Sequence, residues 1–231
     1  MQALYMNDSY LKEFSAVVVR VDGKYVVLDR TAFYPNSGGQ PHDSGKLISG
    51  GEEYNVVYVA KIDGVISHEV DKQGLKVGDS VRGIIDWDRR YTLMRMHTAA
   101  HLLSAVFHKE AGALITGNQL NVDQSRIDFS LENFDRSRIA EYVRTANGII
   151  KKELPVAVRF IRKENMTGDL IKLAGVLPPD ADEIRLVDIA GIDVQADGGT
   201  HVKNTAEVGE IEIVKMENKG KSNRRIYFTV K

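Results

Sequence analysis

The stretch Asp86-Trp87-Asp88-Arg89-Arg90-Tyr91, running on into Leu93-Met94-Arg95-Met96-His97-Thr98-Ala99-Ala100-His101-Leu102-Leu103, is where the chain changes character. From Asp88 to Glu110 the apolar residues Leu93, Met96, Ala100, Leu103 and Phe107 step by threes and fours. That spacing predicts one apolar face of an amphipathic helix, and Gly112 stands where such a helix should end.

Before this stretch the pattern is β. Ala16 to Val21 and Tyr25 to Leu28 are rich in valine and flank Asp22-Gly23-Lys24, a hairpin signal. Tyr54 to Ala60 and Val81 to Ile85 read as further strands, and glycines punctuate the intervals. Short strands with glycine turns predict a small barrel or sandwich. After the stretch the elements are mixed. Asp135 caps a second helix that runs to about Lys152, with Ile139, Tyr142, Val143, Ala146, Ile149 and Ile150 as its buried stripe and Pro155 as its stop. Arg126 to Ser130, Val156 to Ile161, Ile184 to Ile189, Val208 to Val214 and Arg225 to Val230 read as strands. The expected fold is therefore α+β: a small N-terminal β-barrel over residues 1–87, then an α+β domain with helices and antiparallel sheet over residues 88–231.

The 231 residues suffice for one large or two small cores. A hydrophobic fraction of 43% and a charged fraction of 27% are those of an ordinary globular chain. There is no apolar run of bilayer length, and the N-terminus lacks the basic-then-apolar layout of a secretory signal. Cytoplasmic location and no membrane partner are the expectation. With no cysteine, a metal would have to be held by His, Asp or Glu. The net charge of −1 means that any nucleic acid must be met by local basic patches, such as Arg89, Arg90 and Arg95, rather than by a basic surface.

Two segments carry the chemistry. On a helix, His97 and His101 stand one turn apart on the same face. Two imidazoles so placed can chelate one ion, although the same spacing suits a polar helix face. Ala99 and Ala100 leave room beside the rings, and Leu102 and Leu103 follow at once, so the pair lies near an apolar face where an imidazole needs a partner. His108 is two turns further along and reads as exposed. The second segment is Asp197-Gly198-Gly199-Thr200-His201, in which the glycines allow a tight turn close to a ligand. It can complete a zinc site or be a surface turn capped by aspartate.

Taken in order, His97-x-x-x-His101 and, about a hundred residues later, Gly-Gly-Thr-His resemble the editing domain of alanyl-tRNA synthetase, the related threonyl-tRNA synthetase domain and the free-standing AlaX proteins. Thr31-Ala32-Phe33-Tyr34-Pro35-Asn36-Ser37-Gly38-Gly39-Gln40-Pro41 looks like the glycine-rich segment that precedes that domain. Asp86 to Tyr91, Arg126-Ile127-Asp128-Phe129, and Val208-Gly209-Glu210-Ile211 through Arg224-Arg225-Ile226 extend the likeness collinearly from about residue 25 onward.

The resemblance implies zinc (Zn²⁺) as cofactor, held by His97, His101 and His201 with Asp197, and hydrolysis of a mischarged seryl or glycyl ester of tRNA(Ala) without ATP. His97, His101 and Thr116 would be catalytic, Thr116 sensing the serine hydroxyl. Gly38, Gly39, Gln40, Arg89 and Arg90 would meet the tRNA, and a monomer is favoured. Asp197 departs from the family, which often carries cysteine there. A carboxylate can bind zinc directly or accept a hydrogen bond from a ligand histidine. With three firm ligands rather than four, the set favours an open site. A non-catalytic tRNA-binding module with structural zinc and a zinc hydrolase of another small ester are the rival readings.

Overall fold

The computed structural model describes residues 1–132, 135–165 and 182–231. It forms two compact units, Met1–Thr92 and Leu93–Lys231.

The first unit holds β1 (Gln2–Ala3), β2 (Glu13–Asp22), β3 (Tyr25–Leu28), β4 (Arg30–Thr31), β5 (Gly45–Ser49), β6 (Glu52–Ile62), β7 (Val65–Val70) and β8 (Ser80–Ile85). β2, β3, β7, β6, β5 and β8 close into an antiparallel barrel in that order, and β1 pairs in parallel with β4. The expected hairpin is present, with Asp22 opposite Tyr25 and Gly23 at φ +59°. Alternation explains the barrel core: Phe14, Ala16 and Val18 of β2 are buried, while Ser15, Val17 and Val19 face outward. Gly83 lies opposite Phe14, and a Cβ there would sit 2.3 Å from the Phe14 ring, so the missing side chain makes the ring's seat. Bulges fall between Val18 and Arg20 and between Val56 and Tyr58, at points where small barrels bend.

α1 (Trp87–Ala111) begins in the first unit and continues into the second. The helix is present, but its predicted single apolar face is only part of what is buried. Leu93, Met96, Ala100, Leu103 and Phe107 are covered, and so are Met94, Thr98, Leu102 and Ser104. A helix covered all round is a core helix, and for that reason its two histidines lose their solvent.

The second unit continues with β9 (Ile115–Gln119), β10 (Ser125–Phe129), α2 (Arg136–Ile150), β11 (Val156–Arg162), β12 (Glu183–Ile189), β13 (Asp193–Ala196), β14 (Ile211–Asn218) and β15 (Arg224–Val230). They make two antiparallel sheets, ordered β14-β15-β10-β9 and β11-β12-β13. Asp135 caps α2 through Ser137 N–H and Arg138 N–H, and the predicted stripe is the buried one. The strand expected from Val208 starts instead at Ile211. Thr205–Val208 is a 3-10 turn closed by a reciprocal Asn204–Glu207 capping box, and Gly209 follows at φ +79°. A Cβ on Gly209 would lie 1.9 Å from Lys231 O, so glycine lets the two ends of this sheet meet. Among the described residues no helix is long and apolar enough to cross a membrane.

Candidate metal centre

Helix periodicity sets His97 and His101 with ring centroids 5.3 Å apart. The run out of β13 brings the other segment to them. The His201 ring lies 4.2 Å from that of His97 and 4.8 Å from that of His101. Asp197 Oδ2 is 3.1 Å from His97 Nε2 and 3.2 Å from His101 Nε2, and Asp197 Oδ1 is 3.6 Å from His201 Nε2. Gly199 N–H donates to Asp197 Oδ1 and fixes the carboxylate in the turn. One donor atom from each of the four residues lies within 4.8 Å of the others, and this group can hold a metal ion.

Burial gives the cluster its chemistry. The three histidines are buried and the Asp197 side chain is 14% exposed. Burial and repulsion from His97 hold the His201 imidazole well below its ordinary range. Burial works against the Asp197 carboxylate, but the neighbouring His97 imidazole and the hydrogen bond from His101 outweigh it and keep the group well below the usual carboxylate range. Burial also presses His101 toward neutrality, yet its hydrogen bonds to Asp193 and Asp197 prevail and raise it to about 9. An ionised carboxylate and a neutral imidazole are the ligand forms of these side chains, so His101 must shed a proton to ligate.

His201 Nε2 is buried without a hydrogen-bond partner. A buried polar atom left unpaired costs about 1–3 kcal/mol, and this one points into the space shared by the other three donors. Its other nitrogen is occupied, since Nδ1 lies 3.1 Å from Thr98 Oγ1. The donor set is three nitrogens and an oxygen, which suits a borderline first-row cation such as zinc. Asp197 turns its oxygens to the Nε2 edges, where a cation would sit, and not to the backs of the rings. The four side chains named by the resemblance converge.

The other predicted residues are not among these four donors. Thr116, on β9, is exposed and its hydroxyl donates to Asn223 Oδ1 at 3.0 Å, not to any of the four donors. Gly38 and Gly39, at φ +59° and +85°, form a tight turn closed by Ser37 and Gln40 in the first unit. Gly38 is exposed, but Gln40, expected to meet tRNA, is fully buried. Arg90 also fails that expectation. It has no exposed surface, and its guanidinium is bound to Asp43, Ser9 O and Ala32 O, so it has no access to a phosphate. Arg89 is half-buried and donates to His42 O at 3.1 and 3.2 Å. His108 is exposed, as read.

Sequence reasoning missed Asp193, which contacts His101, and Thr98, which contacts His201. Gln195 Nε2 in turn donates to Asp193. The signal was available. Asp193, Gln195 and Asp197 alternate along a strand and its exit, which turns them to one side.

The family described as "tRNA synthetases class II (A)" matches residues 3–89, and the "Threonyl and Alanyl tRNA synthetase second additional domain" matches residues 184–227. The chain is 54% identical over 239 residues to the alanyl-tRNA editing protein AlaX-M of Methanosarcina barkeri, covering 99% of this chain and 98% of that one. It is 48% identical over 235 residues to AlaX-M of Saccharolobus solfataricus, covering 100% and 99%. It is 43% identical over 239 residues to the alanine–tRNA ligase of Pyrobaculum aerophilum, covering 98% of this chain but 26% of the ligase.

Proposed function

The chain belongs to the AlaX-M family of alanyl-tRNA editing proteins, and on that premise we propose that it is a zinc-dependent trans-editing deacylase. It takes tRNA(Ala) wrongly charged with serine, and also with glycine, and releases the free amino acid and intact tRNA. The observation that carries this reading is the convergence of His97, His101, Asp197 and His201 from two distant segments on one buried point.

When bound there, a divalent cation supplies Lewis acidity, worth several kcal/mol toward the charge that develops on an ester carbonyl. The rest falls to the chain. Asp197 and the three imidazoles hold their donor atoms in place before substrate arrives, which avoids reorganisation at the moment of reaction. Burial of the rings keeps bulk water from screening them.

Selectivity for serine over alanine rests on one hydroxyl. A site built to bond a substrate hydroxyl can reject the analogue that lacks it by about 10⁴–10⁵. Thr116 is the residue that fills this role, its exposed hydroxyl donating to Asn223 in the free protein. The exposed turn at Gly38 and the partly exposed Arg89 are the parts of the predicted tRNA contact set that stay open to a tRNA end. The substrate puts the site of action in the cytoplasm, and the protein acts as a monomer.

The test is deacylation of labelled seryl- and alanyl-tRNA(Ala) with and without a chelator. Loss of seryl hydrolysis on chelation, restored by zinc, is expected; undiminished hydrolysis by metal-free protein overturns the reading. Four converging protein donors are also the count of a closed structural site, which favours one second reading, a tRNA-binding module with a structural ion. Zinc-loaded protein that binds the tRNA and hydrolyses neither ester selects it.

A further inference from the structure

Behind the imidazole of His101 lies a carboxyl group that the proposed chemistry leaves unused. β13 alternates, turning Asp193 and Gln195 inward, and both are buried. Asp193 has no exposed side-chain surface, and its Oδ2 lies 3.0 Å from His101 Nδ1. Gln195 Nε2 donates to the same oxygen at 2.7 Å.

A carboxylate oxygen can only accept, so the hydrogen of this contact belongs to His101 Nδ1. That fixes the tautomer. Once the ring is neutral, its lone pair is on Nε2, the atom turned toward Asp197 and the common point. The same contact fixes the ring's rotation about its side-chain bonds. It also puts a second carboxyl group within reach of a centre whose four donors include one anionic residue, Asp197.

We propose that Asp193, steadied by Gln195, is a positioning residue that sets the tautomer and direction of His101 and so raises the cation affinity of the centre. The proposal rests on the cation reading above. Thr98 does the corresponding work for His201 with a neutral hydroxyl, whose Oγ1 also accepts from Val202 N–H at 3.4 Å. Asp193 differs because its partner is a carboxyl group and not a hydroxyl.

The experiment measures zinc affinity by competition with a chelating dye, for the wild-type chain and for Asp193→Asn, Asp193→Ala and Gln195→Ala. Loss of a carboxylate behind a ligand histidine weakens metal binding about 10–100-fold. Asp193→Ala should show that loss. Asp193→Asn, which keeps an accepting oxygen, should fall between it and wild type, and Gln195→Ala should lose less than Asp193→Ala. A merely structural residue would lower the unfolding midpoint and leave the zinc affinity of the folded protein unmoved. Affinities within twofold of wild type in both Asp193 variants overturn the proposal.

Imidazole nitrogen-15 spectra of the zinc-loaded wild type give a check that needs no variant. A hydrogen on His101 Nδ1 is expected, and one on Nε2 overturns the proposal even if the variants fail to fold. Wild-type protein that takes up no zinc overturns the cation reading and this inference together. Zinc uptake that ignores Asp193 overturns this inference alone.

Discussion

Arg90 and Asp43 form an ion pair with no solvent-exposed surface on either side chain. Arg90 Nε donates to both carboxylate oxygens of Asp43 at 2.9 and 3.1 Å, while Nη1 donates to Ser9 O at 2.9 Å and Nη2 to Ala32 O at 2.5 Å. Tyr34 N–H donates to Asp43 Oδ2 at 2.6 Å. The first turn of α1 is thus bonded to three loops of the first unit, and the Phe33–Pro41 segment is held by the same carboxylate. Removing one partner leaves the other charged and buried. Arg90→Leu and Asp43→Asn should each cost about 3–5 kcal/mol of unfolding free energy, read by denaturant titration. A cost below about 1 kcal/mol would show that the pair does not organise this unit.

His68 sits inside the barrel, its Nδ1 3.0 Å from Val26 O and its Nε2 2.8 Å from Thr31 Oγ1. Burial lowers it from its ordinary 6.5 to about 4. Between those values the unfolded chain binds a proton that the folded chain refuses, so stability rises with pH. The contribution is full above 6.5 and fades as pH falls toward 4. Its size is about 3 kcal/mol at most. Denaturant titrations from pH 7 to pH 4 should show this slope in the wild type and a flatter one in His68→Gln, which has no proton to take up. Equal slopes would remove His68 as the source.

Asp197 is the one anionic donor among the four. Asp197→Ala should weaken zinc binding by more than the about 10–100-fold that loss of a partner behind a ligand costs, whereas Asp197→Cys, whose thiolate binds zinc at about 2.3 Å, should retain tight binding. Wild-type affinity in the alanine variant would leave the carboxylate outside the coordination.

Thr116→Val keeps the shape of an exposed side chain and removes its hydroxyl. Its stability cost should stay within about 0.5 kcal/mol. Cleavage of alanyl-tRNA relative to seryl-tRNA should rise, measured as the ratio of single-turnover rates. An unchanged ratio takes Thr116 out of the selectivity.

Much of this was legible in the residues. Valine-rich runs and glycine turns pointed to a barrel or sandwich; Asp135 and Pro155 bracketed α2; the resemblance carried by the His97–His101 spacing and the Gly198-Gly199 turn named the four residues that converge. What was not legible depended on tertiary context. Nothing in the charge of Arg90 distinguishes it from Arg89, yet one is sealed inside the first unit because Asp43 is there to meet it. Gln40 reads as an exposed loop residue beside two glycines and is buried. The start of β14 moved because Asn204 and Glu207 cap a 3-10 turn that local β propensity does not reveal. Asp193 escaped notice because its role follows from the distance to a ring on a helix more than ninety positions away in sequence.

The most direct measurement is an anomalous-scattering map at the zinc edge from crystals of the zinc-loaded protein. A single peak is predicted about 2.0–2.2 Å from the Nε2 atoms of His97, His101 and His201 and from one carboxylate oxygen of Asp197. No peak at that point, or a zinc ion ligated by other residues, would contradict the claim that these two segments fold together to hold one ion.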